Sequence, residues 1–296
     1  MKTNQLLSNE SISKLENLHL KAKKVVEGFI VGLHKSPYHG FSVEFSDHRP
    51  YGLGDEVRHI DWKLWGKTNR FFVKRYEEET NLKAHILIDH SRSMAYSSGN
   101  ISKLEYAKIL AASLSYMLIK NQDAVGLYMF DSKVKKIIPP KSTKGHLSTL
   151  LKEMEKIKPG RHTNISHAIH ECAEKTHKKG LVILISDLMD DQEKILTGLK
   201  HLLYKGHEVI VFHTLDEQEI KFDFNDRVQF KDLESNKTII TDTRQLQKIY
   251  QEKINNFIDF YKQNCFKKKI DYINLKTNQS LDIALSEYII KRKKLH

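Results

Sequence analysis

The sequence predicts an α/β fold built on a doubly wound, mostly parallel sheet. Three observations predict it. Residues 84–88 form an apolar run that stops abruptly at Asp89. Residues 181–185 form a second run, which stops at Ser186 and Asp187. Runs of this kind suit strands buried on both faces. From Lys83 to the C-terminus, segments of strand and helix character alternate, as in sheets whose parallel strands are joined by helices. In open sheets of this class ligands sit at the carboxyl ends of strands. The loops that begin at Asp89 and Asp187 are therefore where a site belongs.

The first 80 residues read as an N-terminal helix followed by a small β-rich extension, and residues 81–296 as the α/β domain. Leu15, Leu18, Ala22, Val25, Val26 and Phe29 recur at helical spacing behind a Ser13–Glu16 capping pattern. A loop is expected from Gly28 to Gly40. Phe41, Val43 and Phe45 alternate with polar residues, as in a strand. The turn-rich stretch 49–55 and the mixed charged and aromatic stretch 58–63 fit either a small β subdomain or a docking surface.

In the larger domain, strands are expected at 84–89, 124–130, 134–138, 181–186, 208–213 and 270–275. Pro139 and Pro140 should stop the third of these. Helices are expected at 104–118, 146–157, 165–178, 195–204, 246–266 and 281–291. Short β-like pieces at 220–224 and 228–230 suggest a β-hairpin insertion near 216–242.

Composition narrows the function classes. No apolar run approaches the roughly 18 residues of a membrane helix, so no membrane span is expected. The first eleven residues are polar and show no secretory signal. Cys172 and Cys265 form no CxxC pair, which fits a reducing, cytoplasmic setting. A net charge of +12 could suit nucleic acid. However, the basic runs at 267–269 and 291–294 are short and carry no recognition motif, so solvated faces are expected instead.

The chemistry concentrates in three loops. Asp89, Ser91 and Ser93 form Asp-x-Ser-x-Ser at the end of the first apolar strand. Three oxygens with one formal charge suit a hard cation, although Asp and Ser are also ordinary turn residues. Thr163 precedes a helix, where it could equally serve as an N-cap. Asp187 closes the second apolar strand, where it could equally be a turn residue.

Together, Asp89, Ser91, Ser93, Thr163 and Asp187 resemble the metal-ion-dependent adhesion site of von Willebrand factor A domains. Leu188 departs from that pattern, in which Gly often follows the last Asp. The stretches 40–45, 49–51, 54–55, 58–63 and 73–74, with 228–233 and 270–272, resemble a bacterial family. It is the domain of unknown function 58 family, von Willebrand A-like proteins associated with MoxR-type AAA+ ATPases. The resemblance implies Mg²⁺ or Mn²⁺ at the five residues. It also implies a MoxR-type ATPase or its client protein as partner, in protein maturation or complex assembly.

Other chemistries fit less well. A haloacid dehalogenase-type phosphatase needs a second carboxylate two residues after the first, where Ser91 stands. No P-loop, Gly-x-Ser-x-Gly elbow or HExxH pattern occurs. His167 and His170 read as a solvated pair and Cys172 as packed. The expectation is a non-enzymatic, metal-dependent binding module; the alternative is a metal-dependent hydrolase of phosphate or peptide bonds.

Overall fold

The computed structural model describes residues 15, 17–34, 48–52, 62–74, 82–160, 164–224, 227–231 and 238–293. The expected capping pair Ser13 and Glu16, the strand at 41–45, the stretch 53–61 and Thr163 lie outside the described residues. The chain forms two compact units, one of residues 1–31 with 82–296 and one of 32–81.

Helix α1 is Leu18–His34. It runs through Gly28, where a loop was expected, and its apolar stripe of Leu18, Ala22, Val25, Val26 and Phe29 is buried. Lys21 reaches Glu105 at 2.8 Å, and the Leu18 N–H donates to Glu155 at 2.8 Å. The helix therefore packs within the larger unit.

In the smaller unit, β1 (His48–Pro50) pairs antiparallel with β2 (Phe72–Lys74). Between them lies helix α2, Trp62–Thr68, which begins in the stretch read as a small β subdomain or a docking surface. Trp62, Trp65 and Phe71 pack ring against ring, and all three stay exposed.

The larger unit opens with β3 (Lys83–Asp89), a 3₁₀ turn (Arg92–Ala95), α3 (Lys103–Lys120), β4 (Ala124–Phe130) and β5 (Val134–Lys141). Then follow α4 (Lys144–Glu155), α5 (Ile165–Lys175), β6 (Leu181–Ser186), α6 (Gln192–Tyr204), β7 (Glu208–Leu215) and α7 (Glu217–Lys221). A hairpin of β8 (Arg227–Lys231) and β9 (Thr238–Asp242) leads into α8 (Thr243–Lys267), β10 (Asp271–Lys276) and α9 (Leu281–Lys293).

The main sheet has the order β10-β7-β6-β3-β4-β5. Every pairing is parallel except that of β5 with β4. This is the α/β class expected, and β3 lies in the middle of it. Ile86, Leu87, Ile88 and Val182 to Ile185 are fully buried. Each such side chain contributes about 2 kcal/mol of hydrophobic stabilisation. Cys172 and Cys265 are buried in the same core, in the cluster with Leu87, Val182 and Leu184.

Three boundaries depart from the sequence reading, each for a local reason. Strand β5 continues through Pro139 and Pro140 because it is an edge strand, with bulges in its pairing to β4. Gly126 opposes it there; a Cβ at Gly126 would lie 2.9 Å from the Ile138 carbonyl oxygen. Helix α5 stops at Lys175, short of 178, where the Thr176 hydroxyl donates to the Cys172 carbonyl at 2.7 Å. Residues 217–221 form helix α7 in place of a strand. Asp216 and Glu219 make a full capping box, and Phe222 ends the helix in the left-handed region.

Candidate metal centre

Strands β3 and β6 are neighbours in register, with Ile88 opposite Ile185. Their carboxyl ends therefore bring Asp89 and Asp187 to the same edge of the sheet. Both side chains are fully buried, as is Ser91.

Asp89 is held from both sides. Its Oδ1 accepts the Ser91 N–H at 2.8 Å, and its Oδ2 accepts the Ser186 hydroxyl at 2.6 Å. The first bond bends the chain into the 3₁₀ turn. Ser91 stands at the N-cap of that turn, yet its hydroxyl makes no capping bond. It faces the Ser93 hydroxyl instead, at 3.1 Å. Burial, and next the Asp187 carboxylate, push Asp89 up to about 7. The bonds from Ser186 and Ser91 oppose that shift without cancelling it.

Asp187 is placed by its own loop and by a residue the sequence reading missed. Its Oδ1 accepts the Met189 N–H at 3.2 Å. Its Oδ2 accepts from the Lys103 ammonium at 2.8 Å, and both side chains of that ion pair have zero exposure. Burial, the largest single influence, pushes Asp187 up, but the Lys103 charge together with the hydrogen bonds from Lys103, Ser93 and Met189 outweighs it and holds the carboxyl below its usual range. Lys103 also reaches Glu219 of α7 at 2.6 Å. Burial alone would lower the Lys103 pKa; Asp187 and Glu219 reverse the sign and raise it.

His213, buried on β7, supports the same loop. Its Nε2 lies 2.9 Å from the Asp187 carbonyl oxygen and its Nδ1 lies 2.6 Å from the Tyr272 hydroxyl. The one sequence signal for Lys103 is its position: a lysine in the first turn of a helix opposes the helix dipole.

Four of the five residues singled out from sequence thus converge, while Thr163 lies outside the described residues. The capping role considered for it belongs to Asn164, whose side chain accepts the His167 N–H at 3.1 Å. His167 is exposed and His170 half-buried on the same helix, as expected of a solvated pair, and the His170 Nδ1 lies 3.0 Å from the His201 Nδ1 on α6.

The donor set fits a hard cation. The 3.1 Å between the Ser91 and Ser93 oxygens is close to the edge of an octahedron with metal–oxygen bonds of about 2.1 Å. With all four ionised, Asp89, Asp187 and Glu219 against Lys103 would leave a formal excess of two negative charges. No group of three or more His, Cys, Asp or Glu side chains among the described residues could hold a metal. Any site here therefore depends on hydroxyls.

Residues 47–256 match the family described as "Protein of unknown function DUF58". The chain belongs to the DUF58 family. This DUF58 protein is 22% identical over 226 residues to the uncharacterized proteins Mb1516 of Mycobacterium bovis and Rv1480 of Mycobacterium tuberculosis, covering 75% of this chain and 70% of theirs. Similar solved structures include BatB from Bacteroides thetaiotaomicron, at 20% identity and TM-score 0.47 over 72% of this chain and 99% of that one. The SpRpn10 VWA domain is similar at 11% identity and TM-score 0.39 over 69% and 93%. An aerotolerance-related membrane protein from Bacteroides fragilis matches at 20% identity and TM-score 0.47 over 71% and 99%.

That last description runs against the expected cytoplasmic setting of the DUF58 protein, as does that of a membrane-spanning protein from Vibrio fischeri at 12% identity and TM-score 0.24 over 71% and 98%. The cytoplasmic reading is withdrawn. No helix among the described residues is long and apolar enough to cross a membrane.

Proposed function

We propose that this DUF58 protein is a non-enzymatic binding module that uses Mg²⁺ or Mn²⁺ to hold a carboxylate of a partner protein. The observation that carries the reading is the pair of hydroxyls, Ser91 and Ser93, 3.1 Å apart beside two buried carboxylates. Ser91 and Ser93 would be direct ligands, and by resemblance Thr163 would ligate directly or through water. Asp89 and Asp187 act from behind, since each already has both oxygens in hydrogen bonds. A divalent ion, when bound there, supplies an electrophilic position for a carboxylate oxygen, because its protein ligands carry little charge.

The same hydrogen bonds weigh against hydrolysis. A general base needs a titratable group within reach of substrate. Asp89 and Asp187 are buried, and every oxygen of the two already accepts a hydrogen bond, so neither lies open to a substrate.

The partner we propose is a MoxR-type AAA+ ATPase or its client, in protein maturation or complex assembly. The sequence has no nucleotide-binding loop of its own, so ATP-driven work falls to a partner. The test is capture of that ATPase and its clients by three preparations: wild type, Ser91→Ala with Ser93→Ala, and wild type in EDTA. The double variant keeps the net charge and should bind as weakly as the EDTA sample. Equal capture by all three would refute the reading.

A further inference from the structure

Lys103 is the largest departure of this site from a simple cage of oxygens. A lysine with no exposed side-chain surface is rare and survives only when paired. Here it touches two carboxylates, Asp187 at 2.8 Å and Glu219 at 2.6 Å, and its ammonium lies 6.0 Å from the centre of the Tyr96 ring. Asp187 belongs to the metal loop. Glu219 belongs to α7, and its other oxygen accepts the Asp216 N–H at 2.8 Å. One ammonium therefore joins the metal loop to the capping box of a different helix.

We propose that Lys103 is the resident counter-cation of this site. It holds Asp187 in place without metal, and Glu219 sets how much of the ammonium's charge Asp187 must balance. The proposal rests on the metal reading above and adds to it two positioning residues that touch no ligand.

The argument is one of sign. A cation beside Ser91 and Ser93 is attracted by Asp89, Asp187 and Glu219 and repelled by Lys103. Removing the Glu219 charge weakens that attraction directly. It also leaves Asp187 as the sole ionised partner of Lys103, so more of the Asp187 charge is neutralised. Both effects lower metal affinity. Removing the Lys103 charge does the opposite: it raises affinity and leaves two buried aspartates repelling each other until a metal arrives. A residue that merely props up the fold would weaken metal binding when replaced, whatever its charge.

The experiment is Mn²⁺ titration by calorimetry and electron paramagnetic resonance on the full chain, with thermal melts in EDTA and in Mn²⁺. Glu219→Gln retains an oxygen for the Asp216 N–H and should bind Mn²⁺ about ten-fold more weakly, the scale of supporting-residue effects at metal sites. Lys103→Gln should bind about ten-fold more tightly, because the like charge beside the site is removed. It should also gain far more thermal stability from Mn²⁺ than wild type does. Affinity shifts in the same direction for both variants, or an unchanged affinity for Glu219→Gln, would overturn the proposal alone. No Mn²⁺ binding by wild type would overturn it together with the metal reading. Should Lys103→Gln unfold in EDTA, recovery of a cooperative melt in Mn²⁺ supports the proposal. If it stays unfolded in Mn²⁺ as well, the Glu219→Gln titration decides.

Discussion

Leu188 holds a left-handed backbone conformation, φ 54°, and the hydroxyl of Tyr261 reaches its carbonyl oxygen at 3.4 Å. The Asp190 N–H donates to the same oxygen at 2.9 Å, and the Leu188 N–H donates to the Ser186 hydroxyl at 3.0 Å. Leu188 follows Asp187, so the turn that aims the carboxylate is a strained one. A left-handed non-glycine residue costs about 1–2 kcal/mol. Leu188 is nevertheless fully buried in the core.

That strain and the burial of the side chain decide the first prediction. Leu188→Gly relieves the strain but removes a buried leucine side chain, at about 2–5 kcal/mol. The net result should be a loss of about 1–3 kcal/mol in urea unfolding with an unchanged m-value. Tyr261→Phe leaves the Asp190 bond intact and should lose about 1 kcal/mol or less. A more stable Leu188→Gly protein would show that the side chain contributes little to packing.

The second prediction concerns acid. His85 and His207 are buried edge to face at the amino ends of β3 and β7. Burial, and then His207, lower His85 to about 4. Burial also lowers His207. A histidine whose folded pKa lies below its unfolded value stabilises the fold above the unfolded pKa. That contribution should be complete above about pH 6.5 and be lost as pH falls towards 4. For His85 it amounts to about 3 kcal/mol. Urea unfolding between pH 7 and pH 4.5 should show the decline, and His85→Phe should flatten it. An unchanged slope in that variant would assign the decline to other groups.

The sheet and half of the site were legible because local pattern decides them. An apolar strand buried on both faces leaves few alternatives, and its terminal Asp89 or Asp187 then falls at the ligand edge. Lys103 and Glu219 were not legible, because their roles depend on a contact across 116 residues of sequence. Only the wrong-signed charge in the first turn of α3 pointed to it. Residues 220–224 were misread because Ile220, Phe222 and Phe224 alternate as in a strand. The Asp216–Glu219 capping box overrides that pattern, and Phe222 stacks on Phe230 and Tyr250. Pro139 and Pro140 were given too much weight because an edge strand has free N–H positions to lose.

The third prediction is that metal is unnecessary for folding. The core strands assemble from apolar side chains, and Lys103 already neutralises Asp187. Metal should add only its binding free energy, about 1.4 kcal/mol at ten times Kd, or roughly 3–5 °C. Melts with and without EDTA should both be cooperative. Loss of the transition in EDTA would refute this.

The last prediction tests how the metal motif is tied to the loop that leads to Thr163. Gly160 donates its N–H to the His90 carbonyl oxygen at 2.6 Å, and His90 stands between Asp89 and Ser91. A Cβ at Gly160 would lie 2.7 Å from the Asp131 Oδ2 and 2.9 Å from the Asp131 Cβ. Asp131 cannot easily retreat. Its N–H donates to the Lys133 carbonyl at 3.2 Å, its Oδ1 accepts the Lys133 N–H at 3.3 Å, and Lys135 bridges its Oδ2 at 3.2 Å. Gly160→Ala must therefore push the loop away from His90, at about 1–3 kcal/mol for overpacking of this kind. Mn²⁺ affinity should fall with it, because the Asp89–Ser91 turn and the approach to Thr163 lose their shared bond. Gly145→Ala is the control: it lies in α4 with nothing within 4 Å of the added Cβ, and it should be neutral or slightly stabilising. A Gly160→Ala protein that matches that control in both stability and Mn²⁺ titration would show that the strap to His90 does not govern the site.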